Sequence, residues 1–436
     1  MPKGLHLSLC WQIAQQSSYV SKGGKENQMK FLEQYKNLSR EIYVLFFGRV
    51  VTSMGALIWP IMTLILKNKL GYNATTIATI TMAMSILQFP MILLGGKLAD
   101  TMNRKKIIVC CDMITVISYI ICGLLPLSGH SIALIYIAGV FATIEGPSYD
   151  ALIADLSDSE SREKAYSLQY LGMNLGLVLS PTIGGFLFEK HLGIAFVVEG
   201  LATFSSTLLI LLFVKQLSVE REKVSVYEEK RENEHVFRIL WERKPILIYA
   251  LMAGFGGLVY AQFNYLLPLN METLYGAKGA AIFGMLTSTN ALVVILATPV
   301  ITTFCGKVMD VRKILIGETL IIMGLFGYRF VQGLMPLYFL LMAIFTLGEV
   351  FNTIGTQPYM TRRMPSTHWG RVNSFIATIN GAFSAIGNIL IGKIIDTSGY
   401  DSAWLAVGIF GMATIVLAVV LNVVDRKKFG LLYGKE

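Results

Sequence analysis

Long apolar stretches alternate with short polar segments along most of the chain. Each stretch has about 20 residues, the length that an α-helix needs to cross the roughly 30 Å hydrocarbon core of a bilayer. The apolar residues follow one another without a period of two, so they predict helices and not the strands of a membrane barrel. Twelve spans are predicted, at residues 43–66, 72–95, 106–127, 131–153, 165–188, 194–214, 245–268, 280–304, 313–333, 335–358, 371–395 and 402–424.

The composition supports a multi-pass protein embedded in a lipid bilayer. Only 15% of the residues are charged, whereas soluble proteins average roughly 25%. The net charge of +9 does not indicate a nucleic-acid partner, because the basic residues flank apolar stretches and act there as topology signals. The five cysteines are interpreted as small apolar residues, and neither a disulfide framework nor a metal site is predicted.

The distribution of Lys and Arg predicts the topology. If both termini are cytoplasmic, 30 of the 37 Lys and Arg residues lie in cytoplasmic segments and 5 in external loops. Cytoplasmic loops of membrane proteins carry this excess of positive charge, and a wrong number of spans would scramble it. We therefore predict twelve spans with both termini in the cytoplasm, and expect a bacterial plasma membrane.

A charged segment after the sixth span divides the chain into two halves. We expect a cytoplasmic linker at 215–244, between helical bundles at 41–214 and 245–425. The polar N-terminal segment 1–40 and the tail 426–436 are expected to be cytoplasmic. Residues 1–28 are a candidate upstream extension, since Met29 opens a more ordinary start.

The two halves carry related sequences. Gly96-Lys97-Leu98-Ala99-Asp100 follows the second span, and Gly306-Lys307-Val308-Met309-Asp310 follows the eighth. At a similar separation, Glu145 in the fourth span matches Glu349 in the tenth. Repeats of this kind are typical of transporters that bind their solute between the halves, near the middle of the membrane.

Two motifs carry a resemblance to a known family. The loop after span two continues through Thr101, Met102 and Asn103 to Arg104-Lys105, close to Gly-x-Leu-Ala-Asp-Arg-x-Gly-Arg-Lys. Span five follows Gly-x-x-x-Gly-Pro-x-x-Gly-Gly with small residues and a proline, at Gly172, Gly176, Ser180, Pro181, Gly184 and Gly185. Over residues 40–425 the chain therefore resembles the twelve-span drug:proton antiporters of the major facilitator superfamily.

The resemblance implies an all-α fold of two pseudo-symmetric six-helix bundles. It also implies a conformational latch between the halves, formed by Gly96, Asp100, Arg104, Asp155, Gly306 and Asp310. The span-five motif favours export. The alternatives are that the loop only fixes topology and that the small residues only pack helices. Span four departs from the family, since Glu145-Gly146-Pro147 stands where an arginine is often found.

Ionisable residues inside apolar spans cost free energy to insert into the membrane, and they usually have a function. Glu145 and Glu349 are predicted near the middle of the membrane, where a carboxyl group can exchange protons or attract a cation. The alternative is a structural salt bridge with Arg49 or Arg329. Arg49 either reaches the cytoplasmic interface or counters a buried acid.

Four other charged residues are predicted closer to the membrane surfaces. Asp112 and Glu318 lie one to two turns into spans three and nine, and are expected to extend towards the inner surface. Arg329 is expected to reach the outer interface, and Glu199 lies near an outer end.

Aromatic and polar side chains in spans one, four and seven could line a pocket for flat cations. The alternative, which we favour, is that they face lipid or form interfacial belts. They are Trp59, Tyr149, Tyr260, Phe263, Asn264 and Tyr265.

These features predict a secondary active transporter that exports small amphipathic or cationic compounds in exchange for protons. The sequence has no phosphate-binding loop, zinc-protease motif or hydrolase motif, so neither an ATP-driven pump nor a membrane enzyme is predicted. Its partners would be a small-molecule substrate, protons and lipid, with no cofactor, and it would act as a monomer. The alternative is a symporter or facilitator for a nutrient or lipid-like solute.

Overall fold

A computed structural model describes residues 38–157, 161–214, 243–305, 308–331, 333–363 and 369–429. The described residues of the first half form six membrane-length helices, two of them interrupted. They are α1 (Arg40–Gly55, Ile58–Leu64 and the π-helical turn Ile65–Lys69), α2 (Ala74–Thr101), α3 (Arg104–Leu124), α4 (Gly129–Asp155), α5 (Arg162–Leu177 and Ser180–Leu187) and α6 (Leu192–Phe213).

The described residues of the second half repeat this arrangement. Its helices are α7 (Lys244–Ala261 and Leu266–Tyr275), α8 (Gly279–Phe304), α9 (Asp310–Gly327), α10 (Met335–Arg363), α11 (369–398) and α12 (400–428). The last two form one continuous helical run except at Gly399, where φ is 80° and ψ is 178°. That conformation is open essentially to glycine alone, so Gly399 sets the turn between the two spans.

The twelve predicted spans correspond to these twelve helices. Nine helical stretches of the described residues are long and apolar enough to cross a membrane, and two of them, of 59 and 54 residues, each contain two consecutive spans. The span that does not reach this apolarity is α9, whose 18 residues include four charged ones. Apolar side chains also cover much of the outer surface, with Leu124 73% and Phe304 81% exposed, as expected for helices in contact with lipid.

A buried carboxyl group stabilises a break in α1. The Glu199 side chain on α6 accepts hydrogen bonds from the backbone N–H groups of Leu57 (3.0 Å) and Ile58 (2.8 Å). These donors lie at the start of the helical segment that follows the break, where backbone N–H groups lack helical partners. In the described fold Glu199 therefore stabilises the start of a helical segment. Its position near the end of a span did not predict this contact.

The break in α7 occupies the corresponding place in the second half. Gln262 lies just after the first segment of α7, and its side-chain amide nitrogen Nε2 donates a 2.9 Å hydrogen bond to Asn388 Oδ1 on α11. Interrupted helices of this kind place irregular backbone inside the protein, away from lipid.

The two halves meet at the end of the bundle where α1 finishes. The Lys67 ammonium on α1 lies 2.5 Å from Glu272 Oε2 on α7 and 3.1 Å from the Tyr400 hydroxyl on α12. Asp396 on α11 accepts hydrogen bonds from the backbone N–H groups of Ala74 (3.2 Å) and Thr75 (3.0 Å) at the start of α2. Both clusters join one half to the other.

Candidate functional site

The second half contains a cavity of about 500 Å³ between α7, α9, α10 and α11. Two carboxyl groups face it, together with hydroxyl and amide groups and apolar surface. None of the fifteen described residues that line it is Lys, Arg or His. The lining residues are Tyr249, Met252, Ala253, Gly256, Gly257, Tyr260, Ala261, Glu318, Ile321, Glu349, Asn352, Thr353, Thr356, Asn380 and Ser384.

Glu349 lies in this cavity and is held by neutral donors from two other helices. The Tyr260 hydroxyl on α7 donates to Glu349 Oε1 (2.9 Å), and the Asn290 amide on α8 donates to Oε2 (2.8 Å). The arginine considered as its ionic partner is engaged elsewhere, because Arg329 forms two 2.9 Å hydrogen bonds with Asp401. In the described part of the structure, the hydrogen-bond partners of the Glu349 carboxyl group are therefore neutral.

Glu318 is the second carboxyl group of the cavity. Its side chain is 4% exposed and accepts a 2.8 Å hydrogen bond from the Asn352 amide on α10. The prediction that Glu318 extends to the inner membrane surface is wrong. It turns into the bundle because α9 faces the cavity at this position and Gly256 on α7 leaves room for the carboxyl group.

The first half contains a different pair of acids. The carboxyl groups of Asp112 on α3 and Glu145 on α4 lie within hydrogen-bonding reach of each other, and Asp112 also accepts a 2.6 Å hydrogen bond from the Thr207 hydroxyl on α6. The prediction that Asp112 extends to the inner surface is also wrong, since its side chain is 8% exposed. A hydrogen bond between two carboxyl groups requires a proton on one of them.

Arg49 lies beside this pair. Its guanidinium group is 5.2 Å from the centre of the Tyr149 ring and within electrostatic range of Glu145 and Asp150. Its Nε is buried without a hydrogen bond to the described atoms. The proximity of Arg49 to Glu145 agrees with a counter-charge to an acid, and the role of Arg49 stays a prediction.

The predicted partners Arg104 and Asp155 form an ion pair that joins the start of α3 to the end of α4. Arg104 also donates to the backbone carbonyl groups of Ala99 and Ala151, at 3.3 and 3.4 Å. Among the described residues, none lies within 4 Å of the position that a Cβ on Gly96 would take. Gly306 and the Asp100 side chain lie outside the described part of the structure. The latch function stays a prediction.

Asp310 belongs to a larger ionic cluster at the corresponding end of the second half. It is 3.1 Å from Arg362 and 3.6 Å from Arg363. Arg363 also makes two 2.7 Å hydrogen bonds to Asp425 at the end of α12. The signs of the charges are reversed relative to the first half, where the arginine is on α3 and the acid on α4.

The small residues of the span-five motif bring α5 close to helices of both halves. A Cβ at Gly176 would lie 2.5 Å from the Ser53 side chain on α1, and one at Gly184 would lie 2.6 Å from the Leu57 carbonyl. Gly185 faces the α8 backbone, and the hydroxyl groups of Thr182 and Ser288 are 2.7 Å apart across the interface between the halves.

The remaining members of the motif serve the same packing. Gly172 faces the Phe46 ring on α1, Ser180 is fully buried, and the Pro181 backbone lies against Gly284 on α8. These contacts are the helix packing that the alternative interpretation of the motif expects. Some of them also lie at the interface between the two halves, where a transporter would have to move.

The predicted pocket residues separate into different environments. Tyr260 lines the large cavity, while Trp59 lines a smaller one of about 150 Å³ between α1, α2 and α4. Phe263 is buried, its ring centre 5.2 Å from that of Phe345. Asn264 is exposed, and its backbone carbonyl accepts a hydrogen bond from the Thr63 hydroxyl.

Two further tyrosines hold helices together instead of lining the large cavity. Tyr149 is buried and donates to the Leu45 carbonyl at 3.1 Å. Tyr265 is buried and donates to the Ala74 carbonyl in the other half. Among the aromatic candidates, only Tyr260 therefore contacts the large cavity.

Glu318, Asn290 and Asn352 were missed as members of the site. Asn290 and Asn352 are amides inside apolar helices, and Asn352 follows Glu349 by three residues, so both share one face of α10. Side-chain amides in otherwise apolar spans were the signal that could have identified them.

The sequence matches a family model over most of its length, from residue 45 to residue 379, and that model describes the Major Facilitator Superfamily. The chain belongs to this family. Multidrug resistance protein 1 of Bacillus subtilis (strain 168) is 22% identical over 365 residues, which are 82% of this chain and 89% of that protein. Quinolone resistance protein NorA of Staphylococcus aureus is 29% identical over 157 residues, 35% of this chain and 39% of that protein.

Solved structures share the major facilitator fold. A crystal structure of a POT family transporter in complex with a thioalcohol-conjugated peptide has a TM-score of 0.73 at 16% identity, covering 89% of this chain and 96% of that one. The crystal structure of the nucleoside transporter NupG has a TM-score of 0.68 at 12% identity, covering 87% of this chain and 98% of that one. At these identities the likeness shows the fold alone.

Proposed function

We propose that this major facilitator protein exports small amphipathic cations in exchange for protons. The observation that carries the proposal is the position of Glu349 in a cavity of about 500 Å³ whose described lining includes two acids and no base. A carboxyl group in these surroundings binds either a proton or a cation, because leaving its charge unpaired in an apolar interior is costly. The names of the two relatives concern resistance to drugs and support export of drug-like compounds.

The arrangement of the halves supports alternating access. The Lys67 and Asp396 clusters join the halves at the end of the bundle where α1 finishes. With the topology predicted from Lys and Arg, that end is external, so the described state is closed to the outside. In this proposal, breaking these clusters and closing the opposite end exposes Glu349 to the exterior.

The latch residues act at the cytoplasmic end in the same scheme. Arg104 and Asp155 pair within the first half, and Asp310 pairs with Arg362 in the second. We propose that these ion pairs position the two loops that meet when the transporter faces outward. The packing motif of α5 permits the movement, because its small residues let α5 and α8 slide at close distance.

In this scheme, protons bind at two sites. Glu349 exchanges a proton directly for the cation. The pair formed by Asp112 and Glu145, with Arg49 beside it, binds a proton in the first half. A proton changes the balance between inward and outward states only if its affinity differs between them, and the movement of charged Arg49 relative to Glu145 supplies such a difference.

The protein would be a multi-pass transporter of the bacterial plasma membrane, with both termini cytoplasmic, and would act as a monomer without a cofactor. It would not be an enzyme.

The proposal is tested in inside-out vesicles with an acidified interior. Ethidium is added, and dye uptake and dissipation of the pH gradient are followed together. Glu349→Gln should reduce uptake about ten- to hundredfold, which corresponds to loss of a charged partner contributing about 1.5–3 kcal/mol. Glu189→Gln, the same change at an exposed site, is the matched control.

Three outcomes separate the alternatives. Uptake that consumes protons and collapses in Glu349→Gln supports antiport at Glu349. Absence of uptake of any cationic dye by the wild type contradicts cation export and favours the symporter or facilitator. Uptake that persists in Glu349→Gln contradicts the assignment of Glu349 and leaves the Asp112–Glu145 pair as the site of coupling.

A further inference from the structure

Two acids from different helices face one cavity, and only one of them was expected there. Glu349 comes from α10 and Glu318 from α9. The described hydrogen-bond partners of both are neutral: Tyr260 and Asn290 for Glu349, and Asn352 for Glu318. A single monovalent cation neutralises one of these acids and leaves the other without a counter-charge.

The position of Glu318 is built into the packing of three helices. A Cβ at Gly256 would lie 3.0 Å from Glu318 Oε2, so any larger residue on α7 would push the carboxyl group away. Asn352 donates to Oε1 at 2.8 Å and itself accepts a 3.0 Å hydrogen bond from the Thr356 hydroxyl. Glycine, amide and hydroxyl together hold the carboxyl group facing the cavity.

The other residues that line the cavity suit a substrate with an apolar or aromatic body between two positively charged ends. Tyr260 presents a ring that packs 5.4 Å from Phe345, centre to centre, and Met252 and Ile321 add apolar surface. Aromatic rings and carboxylates together favour organic cations over hydrated metal ions, since ring faces attract cations but do not replace the oxygen ligands of hard metals.

We infer that Glu318 and Glu349 form a two-point anionic site whose preferred substrates carry two positive centres on an aromatic or apolar body. This inference rests on the proposed function and specifies its substrate class. In this site Glu349 binds the first cationic centre and Glu318 the second. A compound with one centre uses Glu349 and leaves Glu318 to bind a proton.

The test uses a matched pair of dyes and the purified full-length protein in detergent at mildly alkaline pH. Ethidium and propidium share one phenanthridinium ring system, but propidium carries a second cationic centre on its side chain. Dissociation constants for both are measured by fluorescence anisotropy. The wild type should bind propidium about tenfold more tightly than ethidium, equivalent to about 1.4 kcal/mol.

Substitutions at the two acids should act differently on the two dyes. Glu349→Gln should weaken both, whereas Glu318→Gln should weaken propidium about tenfold more than ethidium and so remove the preference. Glu189→Gln should leave the ratio of the two constants as in the wild type. If Glu318→Gln does not give a folded, monodisperse protein, Glu318→Asn supplies the same measurement, because it also replaces the carboxyl group with a neutral amide.

The outcomes distinguish this inference from the function on which it rests. An unchanged propidium-to-ethidium ratio in Glu318→Gln or Glu318→Asn overturns the two-point site, even if ethidium binding depends on Glu349. Absence of binding of both dyes by the wild type overturns the proposed export of cations itself.

Discussion

The Tyr260 hydroxyl on α7 donates a 2.9 Å hydrogen bond to the Glu349 carboxyl group on α10. The bond connects the aromatic wall of the cavity to its acid and fixes the carboxyl group towards the space that a substrate would occupy. The relationship gives Tyr260 two separable contributions, a ring that contacts the substrate and a hydroxyl that orients the acid.

Tyr260→Phe keeps the ring and removes the donor. We expect ethidium affinity to fall about tenfold, because hydrogen bonds to charged groups contribute about 1.5–3 kcal/mol and the carboxyl group loses its fixed orientation. Binding to the purified protein is the measurement. Tyr328→Phe is the control, since that buried hydroxyl donates to the Tyr338 carbonyl away from the cavity; equal losses in both variants would contradict the assigned contact.

Asp112→Asn and Glu145→Gln should separate transport from binding. Neither residue lines the large cavity, so ethidium binding to the purified protein should remain within about twofold, whereas proton-driven uptake should fall at least about tenfold, the effect of about 1.4 kcal/mol on a rate. Asp401→Asn neutralises an exposed acid and serves as control. Normal gradient-driven uptake in both variants would exclude this pair from coupling.

A disulfide across α5 and α8 should arrest the transporter. The Thr182 and Ser288 hydroxyl groups are 2.7 Å apart in different halves, so a Thr182→Cys, Ser288→Cys double variant, made without the five native cysteines, should oxidise readily. Oxidation should abolish uptake and reduction should restore it. Each single variant controls for the substitutions themselves; full uptake in the cross-linked protein would contradict movement at this interface.

The Arg363–Asp425 ion pair should matter far more for stability than the Arg329–Asp401 pair. The first pair is 0% exposed on both side chains, and the second is 25% and 63% exposed. Arg363→Gln should lower the free energy of unfolding by about 3–5 kcal/mol, since it removes the arginine from a fully buried ion pair. Arg329→Gln should cost less than about 1 kcal/mol. Thermal unfolding in detergent compares the two, and similar losses would contradict the argument.

The sequence predicted well where each span lies along the chain. It predicted poorly which face of each helix points into the bundle. Apolar length sufficed to place twelve helices, and the pair Arg104–Asp155 followed from a short motif. Asp112 and Glu318 were assigned to the correct helices but to the wrong side of them. Helices that are apolar all round carry little information about which face points inward, so the direction of an isolated acid could not be read.

Contacts between distant segments were also beyond the sequence. Glu199 reaches the break in α1 from α6, and Arg363 meets Asp425 across 62 positions of the chain. Each contact depends on how helices are arranged around one another, which apolar patterns leave open. The break in α1 was missed because Ala56 and Leu57 are as apolar as the residues around them, whereas Gln262 and Asn264 at the break in α7 were a polar signal that the sequence did offer.

The most direct test of the account is proton release when a cation binds. Ethidium is added to the purified protein in weakly buffered detergent solution, and the pH change per bound dye is recorded for the wild type and Glu349→Gln. The account predicts that the wild type releases protons and that Glu349→Gln, at saturating dye, releases far fewer per bound dye. Ethidium binding without proton release in the wild type, or equal release in both proteins, would contradict exchange of a proton for a cation at Glu349.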